Sequence, residues 1–266
     1  MKTTTDSTGE IVEINGYEGA SPNDDLLGQI SSLKKLRKLI LRSVPDKRIA
    51  VNEDWFSDKA SLESVALINC DISSTAFKAL LRIATLGSLD LTGCHIAPGK
   101  FSITGVRAIN VSFAACNLGE RFLTRLIDCG LFDHAEIVNL NGNHVSSDHI
   151  LRLAARATVC EELSLNQTDV GDPSIPGLLK LTSLAVLDIN DSKFTGQGFE
   201  ELCRLTQLEQ LRANRVRLSV EQVAAFIKHP RLTRFEFDYS SLSVEERHRL
   251  DQKQRRVLKA RRTAGR

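Results

Sequence analysis

Long apolar runs are absent from this chain. No stretch of about 18 apolar residues occurs in its 266 residues, so nothing in it reads as a membrane-spanning helix. Met1 to Glu10 contains no apolar segment of the kind that drives secretion. The six cysteines include no C-x-x-C pair. The expectation is therefore a reduced, cytoplasmic protein without a disulfide framework. Aromatic residues are few, at one Trp, two Tyr and eleven Phe, while Leu is abundant, which favours a core of stacked aliphatic side chains.

Catalytic signatures are also missing. Gly93 to Lys100 invites comparison with a phosphate-binding loop, but five residues separate Gly93 from Gly99 and Phe101 follows the lysine. Gly196-x-Gly198 has Glu201 where a dinucleotide fingerprint needs its third glycine, so it reads as a loop before a helix. There is no G-x-S-x-G elbow. His144 and His149 are five residues apart, a spacing that does not put two ligands on one helix face. All six histidines read as solvated loop or helix residues. The expectation is a protein that is not an enzyme and has no cofactor and no metal site.

Charge is unevenly spread. The whole chain carries +2, yet Glu245 to Arg266 holds nine Lys or Arg against three Asp or Glu, leaving a mildly acidic body before a basic end.

What the chain does have is a period. Cys160-x-x-Leu163-x-Leu165-x-x-Thr168-x-Val170 is followed by Leu184-x-x-Leu187-x-Ile189-x-x-Ser192-x-Phe194. Leu208-x-x-Leu211-x-Ala213-x-x-Val216-x-Leu218 and Leu232-x-x-Phe235-x-Phe237-x-x-Ser240-x-Leu242 complete the series. Upstream, the same template is centred on Leu39, Val65, Leu89, Val111 and Val138. The nine central residues are spaced by 26, 24, 22, 27, 25, 24, 24 and 24. Alternation puts two apolar residues of each line on one face of a short strand. The connections have helical spacing, as in Phe77-Leu80-Leu81 and Val223-Phe226-Ile227, with Ser73, Ser147 and Ser219 as cap candidates. Gly171 to Pro176 is too rich in proline for a full helix at its start.

This template resembles the leucine-rich repeat, L-x-x-L-x-L-x-x-N/C-x-L, most closely the bacterial class of about 24 residues. The resemblance implies an α/β right-handed solenoid, a curved horseshoe with parallel strands on the concave face and short helices on the convex face. Its expected extent is residues 11–243, about ten repeats with a degenerate first one at Ile11-x-x-Ile14. Residues 1–10 are expected to be disordered, and residues 244–266 to form a basic C-terminal helix or tail. The chain departs from the family at the Asn position, which only Asn143 fills with Asn. Cys70, Cys94, Cys116, Thr168, Ser192 and Ser240 can bond backbone there more weakly, and Val44 and Val216 cannot. Cys70, Cys94 and Cys116 stack on consecutive strands, and their interior position reads as packing rather than as a thiolate metal site.

The resemblance implies binding as the general mode of use. The strand residues that alternate with the buried ones line the concave face. Asn141, Asn166, Asn190 and Asn214 share one column there, followed by Asp238. Asp188 and Asp191 lie beside Arg212, Arg215 and Arg234. This patch is the expected surface for an unidentified protein or peptide, set against a reading in which the Asn ladder only solubilises the sheet. The alternative is a nucleic-acid-associated protein that contacts phosphates through Arg255, Arg256, Lys259, Arg261 and Arg262.

Overall fold

The computed structural model describes residues 2–16, 24–44, 46–101, 106–238, 243–250, 252 and 255. They fall into two compact units, Met1–Asn139 and Leu140–Arg266.

The first unit opens with β1 (Lys2–Thr5) and β2 (Ile11–Gly16), followed by α1 (Asp24–Gln29), β3 (Lys38–Arg42) and β4 (Ala50–Val51). Next come β5 (Ser64–Ile68), β6 (Asp71–Ile72), α2 (Ser74–Leu80), β7 (Ser88–Asp90) and β8 (His95–Ile96). β9 (Asn110–Ser112), α3 (Glu120–Asp128) and β10 (Ile137–Asn139) complete it. Its main sheet has the order β1-β2-β3-β5-β7-β9-β10. Every pair from β2 onward is parallel, and the template residues are in register: Ile14 opposite Leu39, Leu39 opposite Val65, Val65 opposite Leu89, Leu89 opposite Val111. The two-residue strands β4, β6 and β8 form a second small parallel sheet.

The N-terminal expectation needs correction. Lys2–Thr5 is a strand, antiparallel to β2, rather than disordered chain. A tight turn makes this work. Asp6 Oδ1 accepts from the Thr8 N–H at 2.8 Å, the Thr8 hydroxyl at 2.6 Å and the Glu10 N–H at 3.1 Å. Low apolarity suggested disorder, but a β-branched threonine run beside an Asx turn forms a hairpin.

The second unit contains α4 (Ser147–Arg156), β11 (Glu162–Ser164), α5 (Ile175–Leu178), β12 (Val186–Asp188), α6 (Gly196–Leu202), β13 (Gln210–Ala213), α7 (Val220–Ile227) and β14 (Arg234–Phe237). β11 to β14 pair in parallel in chain order, with Leu163, Leu187, Leu211 and Phe235 in one row. Residues 244–250 are helical, with Leu250 buried.

Both cores are the predicted aliphatic ladders. Leu39, Leu41, Val65, Leu67, Leu89 and Leu91 are fully buried in the first unit, as are Leu163, Leu165, Leu187, Ile189 and Leu211 in the second. The scarce phenylalanines are concentrated. Phe77 packs edge-on to Phe101 and Phe113, and Phe199, Phe226, Phe235 and Phe237 form a second group with centroids 4.4–5.9 Å apart. Pro173 restricts the connection after β11 to a 3₁₀ turn and one turn of α-helix, as its composition predicts.

Seven successive strands of the template end in the same backbone device. Asn69, Gly93, Ala115, Gly142, Gln167, Asp191 and Arg215 have φ between 50° and 70°, at one template position in seven successive repeats. The left-handed residue turns its N–H onto a carbonyl of the next strand, as Gly93 does to Ala114 at 2.7 Å, Gly142 to Asn166 at 2.8 Å and Asp191 to Asn214 at 3.0 Å. Only two of the seven are glycine, so the turn holds the others against a local preference of about 1–2 kcal/mol.

The following template position behaves largely as its chemistry predicts. Asn143 Nδ2 donates to the Leu140 carbonyl at 3.1 Å, and the Thr168 hydroxyl donates to Leu165 at 2.6 Å. Cys94 and Cys116 donate to Leu67 and Leu91, each at 2.9 Å. Ser192 Oγ, by contrast, is buried without a hydrogen-bond partner among the described residues. The thiols are packing groups. The hydrogen bond with Cys70 and burial both push Cys94 upward, and burial pushes Cys116 and Cys160 up to about 12.

Three smaller expectations are revised. Ser146, not Ser147, caps α4, whereas Ser73 and Ser219 cap α2 and α7 as expected. His149 and His229 are buried rather than solvated. His149 Nδ1 accepts from the Ser146 N–H at 3.0 Å, and His229 Nε2 lies 3.0 Å from the Leu205 carbonyl. Gly196 and Gly198 lie inside α6, and at Gly198 the Asp172 carboxylate comes in from the preceding connection. A Cβ on Gly198 would meet Asp172 Oδ1 at 2.0 Å. That carboxylate accepts the Thr195 N–H at 2.8 Å, at the start of the helix.

Candidate binding surface on the sheet of the second unit

Alternation along β11 to β14 turns one set of side chains into the core and the other out onto the sheet. The outward set includes most of the predicted patch, and the structure divides its Asn column into different roles. Asn141 Oδ1 accepts the Asn166 N–H at 2.6 Å, and Asn190 Oδ1 accepts the Asn214 N–H at 2.6 Å. These two amides bridge adjacent strands, as the ladder reading requires. Asn166 does not continue the chain of bonds. The Asn190 N–H turns back to Asp188 Oδ1 at 3.1 Å, leaving Asn166 Oδ1 buried with no hydrogen-bond partner among the described residues.

The charged residues meet in pairs. Asp188 and Arg212 are opposite in register, and so are Arg212 and Glu236. The Arg212 guanidinium lies between the two carboxylates, 3.9 Å from Asp188 Oδ2 and 3.7 Å from Glu236 Oε2. Asp188 is only 8% exposed. Burial pushes its carboxyl above the usual range, against the Asn190 N–H and the Arg212 charge, which pull it down. Arg215 binds Asp191 Oδ1 at 2.6 Å, and Arg234 pairs with Glu236. Asp238 follows β14 and is half-buried. Glu236 belongs to this network although the sequence reading left it out of the patch. Its place opposite Arg212 was legible from alternation and the 24-residue period.

A second cluster lies beside the strand ends. Asp169 takes Lys193 Nζ at 2.5 Å and His144 Nδ1 at 3.2 Å, and these bonds, Lys193 first, hold its carboxyl below the ordinary range. Asp169 and His144, with Asn143, Thr168 and Asp191, line an open groove of about 350 Å³. The alternation rule missed it because the cluster comes from the turns, which follow no two-residue period.

Of the basic tail, Arg255 is helical and exposed, while Arg256, Lys259, Arg261 and Arg262 lie outside the described residues. Among the described residues, no group of three His, Cys, Asp or Glu is placed to hold a metal ion, and no helix is long and apolar enough to cross a membrane.

No family model matches the chain, and no curated protein sequence does. Solved structures do. The mouse RP105/MD-1 complex aligns with a TM-score of 0.56 at 16% identity, over 85% of this chain and 38% of that one. The plant peptide hormone receptor RGFR1 in complex with RGF2 aligns with a TM-score of 0.51 at 13% identity, over 78% and 33%. The fold is that of a leucine-rich-repeat protein. The LRR ectodomain of the Arabidopsis receptor kinase HAESA aligns over 89% of this chain and 36% of that one, with 19% identity and a TM-score of 0.49. This repeat chain thus spans only about a third of each of these three solved chains.

Proposed function

We propose that the protein is a non-catalytic scaffold that binds an extended protein or peptide segment on the outward sheet face of its second unit, the face expected to be concave. The contact set is Asn141, Asn166, Asn190, Asn214, Asp188, Asp191, Arg212, Arg215, Arg234 and Asp238. The observation that carries this reading is the pre-positioning of the face. Asn141 and Asn190 are fixed by backbone bonds, and Arg212, Arg215 and Arg234 are held by carboxylates on the same sheet. Side chains already held in place lose less entropy when a partner arrives. Two of the structures that share the fold are complexes, a peptide hormone receptor with RGF2 and RP105 with MD-1. The six free cysteines, four of them fully or largely buried, favour a reducing, cytoplasmic compartment.

The test is partner capture from nuclease-treated lysate of the source cells, comparing the full chain with an Asn166→Glu/Asn214→Glu variant and with a chain ending at Leu242. Neither substituted side chain bridges strands, and matching circular dichroism of all three chains is the condition for the comparison. Loss of a partner with the double variant alone supports the scaffold. Loss with the tail, or with nuclease, transfers function to the basic end and overturns this reading.

A further inference from the structure

We infer that Arg212, with Asn190 beside it, is a receptor for a carboxylate, so that the segment bound on this face is acidic. This inference rests on the scaffold reading and names the chemistry of the partner. A guanidinium has five N–H donors in a planar fork. Arg215 Nε is paired with Asp191 Oδ1 at 2.6 Å, and Arg234 donates to Glu236 Oε1. Arg212 contacts Asp188 and Glu236 at 3.9 and 3.7 Å, too far for hydrogen bonds, and it donates none among the described residues. The two carboxylates therefore orient the fork without consuming it, and the Arg212 side chain remains 29% exposed on the sheet.

The neighbouring groups point the same way. Asn190 Oδ1 is committed to the Asn214 N–H, which sets the plane of the amide and leaves its Nδ2 as a donor. Asn190 lies two residues beyond Asp188, which ends β12 and is the register partner of Arg212, so the two donors flank one part of the surface. Charge alone does not choose the ligand, because Asp188, Asp191 and Glu236 balance Arg212, Arg215 and Arg234. The unused donors choose it. A planar carboxylate adds short charge-assisted bonds to Arg212 without breaking an existing hydrogen bond.

Asp188 borders the site and opposes an incoming anion. It is also the carboxyl that burial already pushes upward, so a proton on it would relieve that opposition. Other titratable groups on the surrounding strands are Glu162, Asp191 and Glu236, with Arg212, Arg215 and Arg234 as the fixed cations. Binding of an acidic segment should therefore tighten as the pH falls toward the raised titration range of Asp188.

A random dodecapeptide library selected on the full chain, followed by titration of the enriched peptides by calorimetry, tests this. The expected result is enrichment of peptides containing Asp or Glu. Their affinity should fall on the order of tenfold or more with Arg212→Gln, and by less with Arg212→Lys, which keeps the charge and loses the fork. Affinity should rise with Asp188→Asn, which also removes the pH dependence; a role limited to holding the sheet together would not strengthen binding. Peptides with amidated C-termini separate a side-chain carboxylate from a terminal one. Peptides that lose binding with Asn166→Glu/Asn214→Glu yet carry no carboxylate and ignore Arg212→Gln would overturn the carboxylate inference and leave the scaffold standing. If no selected peptide depends on this face, both readings fall.

Discussion

The four asparagines of one sequence column should respond differently to the same substitution. Asn190→Ala removes the acceptor for the Asn214 N–H, which lies 2.6 Å away in a partly buried position, and Asn141→Ala does the same to Asn166. Each leaves a backbone donor without its partner, a loss of about 1–2 kcal/mol. Asn166→Ala removes an oxygen that has no hydrogen-bond partner among the described residues, so it should be neutral or mildly stabilising. Asn214→Ala removes a half-exposed amide that bridges no strands, and should fall within about 0.5 kcal/mol of wild type. For a chain of this size, 1 kcal/mol moves the thermal midpoint by about 2–4 °C, so the first two variants should melt about 2–8 °C lower. Repeat arrays do not always unfold in one step, so urea midpoints and slopes should be compared alongside. Four equal shifts, or a shift in Asn166→Ala as large as that in Asn190→Ala, would refute the division of roles.

Three further outcomes are expected. Gly198→Ala should lower stability because its Cβ would meet Asp172 Oδ1 at 2.0 Å, and an Asp172→Ala background should relieve most of that cost, leaving only the contact with Ile175 Cδ1 at 2.9 Å; a thermal double-mutant cycle reads the coupling. The Lys59 amine is drawn below its ordinary value by burial while Nζ donates to the Ser31 carbonyl at 2.9 Å. The unfolded chain therefore holds more protons than the folded one between the lowered value and 10.5, so stability contributed by this site rises with pH across that window, and Lys59→Met should flatten the rise in urea midpoints. In native alkylation followed by mass spectrometry, Cys94, Cys116 and Cys160 should stay unmodified, whereas half-exposed Cys129 reacts first; Cys203, pushed up to about 11 by burial, follows slowly.

The period and the alternation were enough to determine the repeat, the strand centres and the register. Leu163, Leu187, Leu211 and Phe235 align as their spacing requires, because a parallel solenoid repeats its backbone at the interval at which its apolar residues recur. Those rules also identify which side chains leave the core, and so the outline of the candidate surface. They say nothing of what those side chains then do to one another. Asn166 and Asn190 are equivalent by template, but Asn190 bridges strands and Asn166 does not, because the Asn190 N–H donates to Asp188 instead. The same limit hid the burial of His149 and His229, whose rings meet a helix N-terminus and a neighbouring carbonyl. It also hid Gly198, where the constraint is a carboxylate from 26 residues upstream. Sequence period is a property of one strand repeated, so it determined the fold. The polar surface depends on distances between side chains on different repeats, and only the tertiary structure decides those.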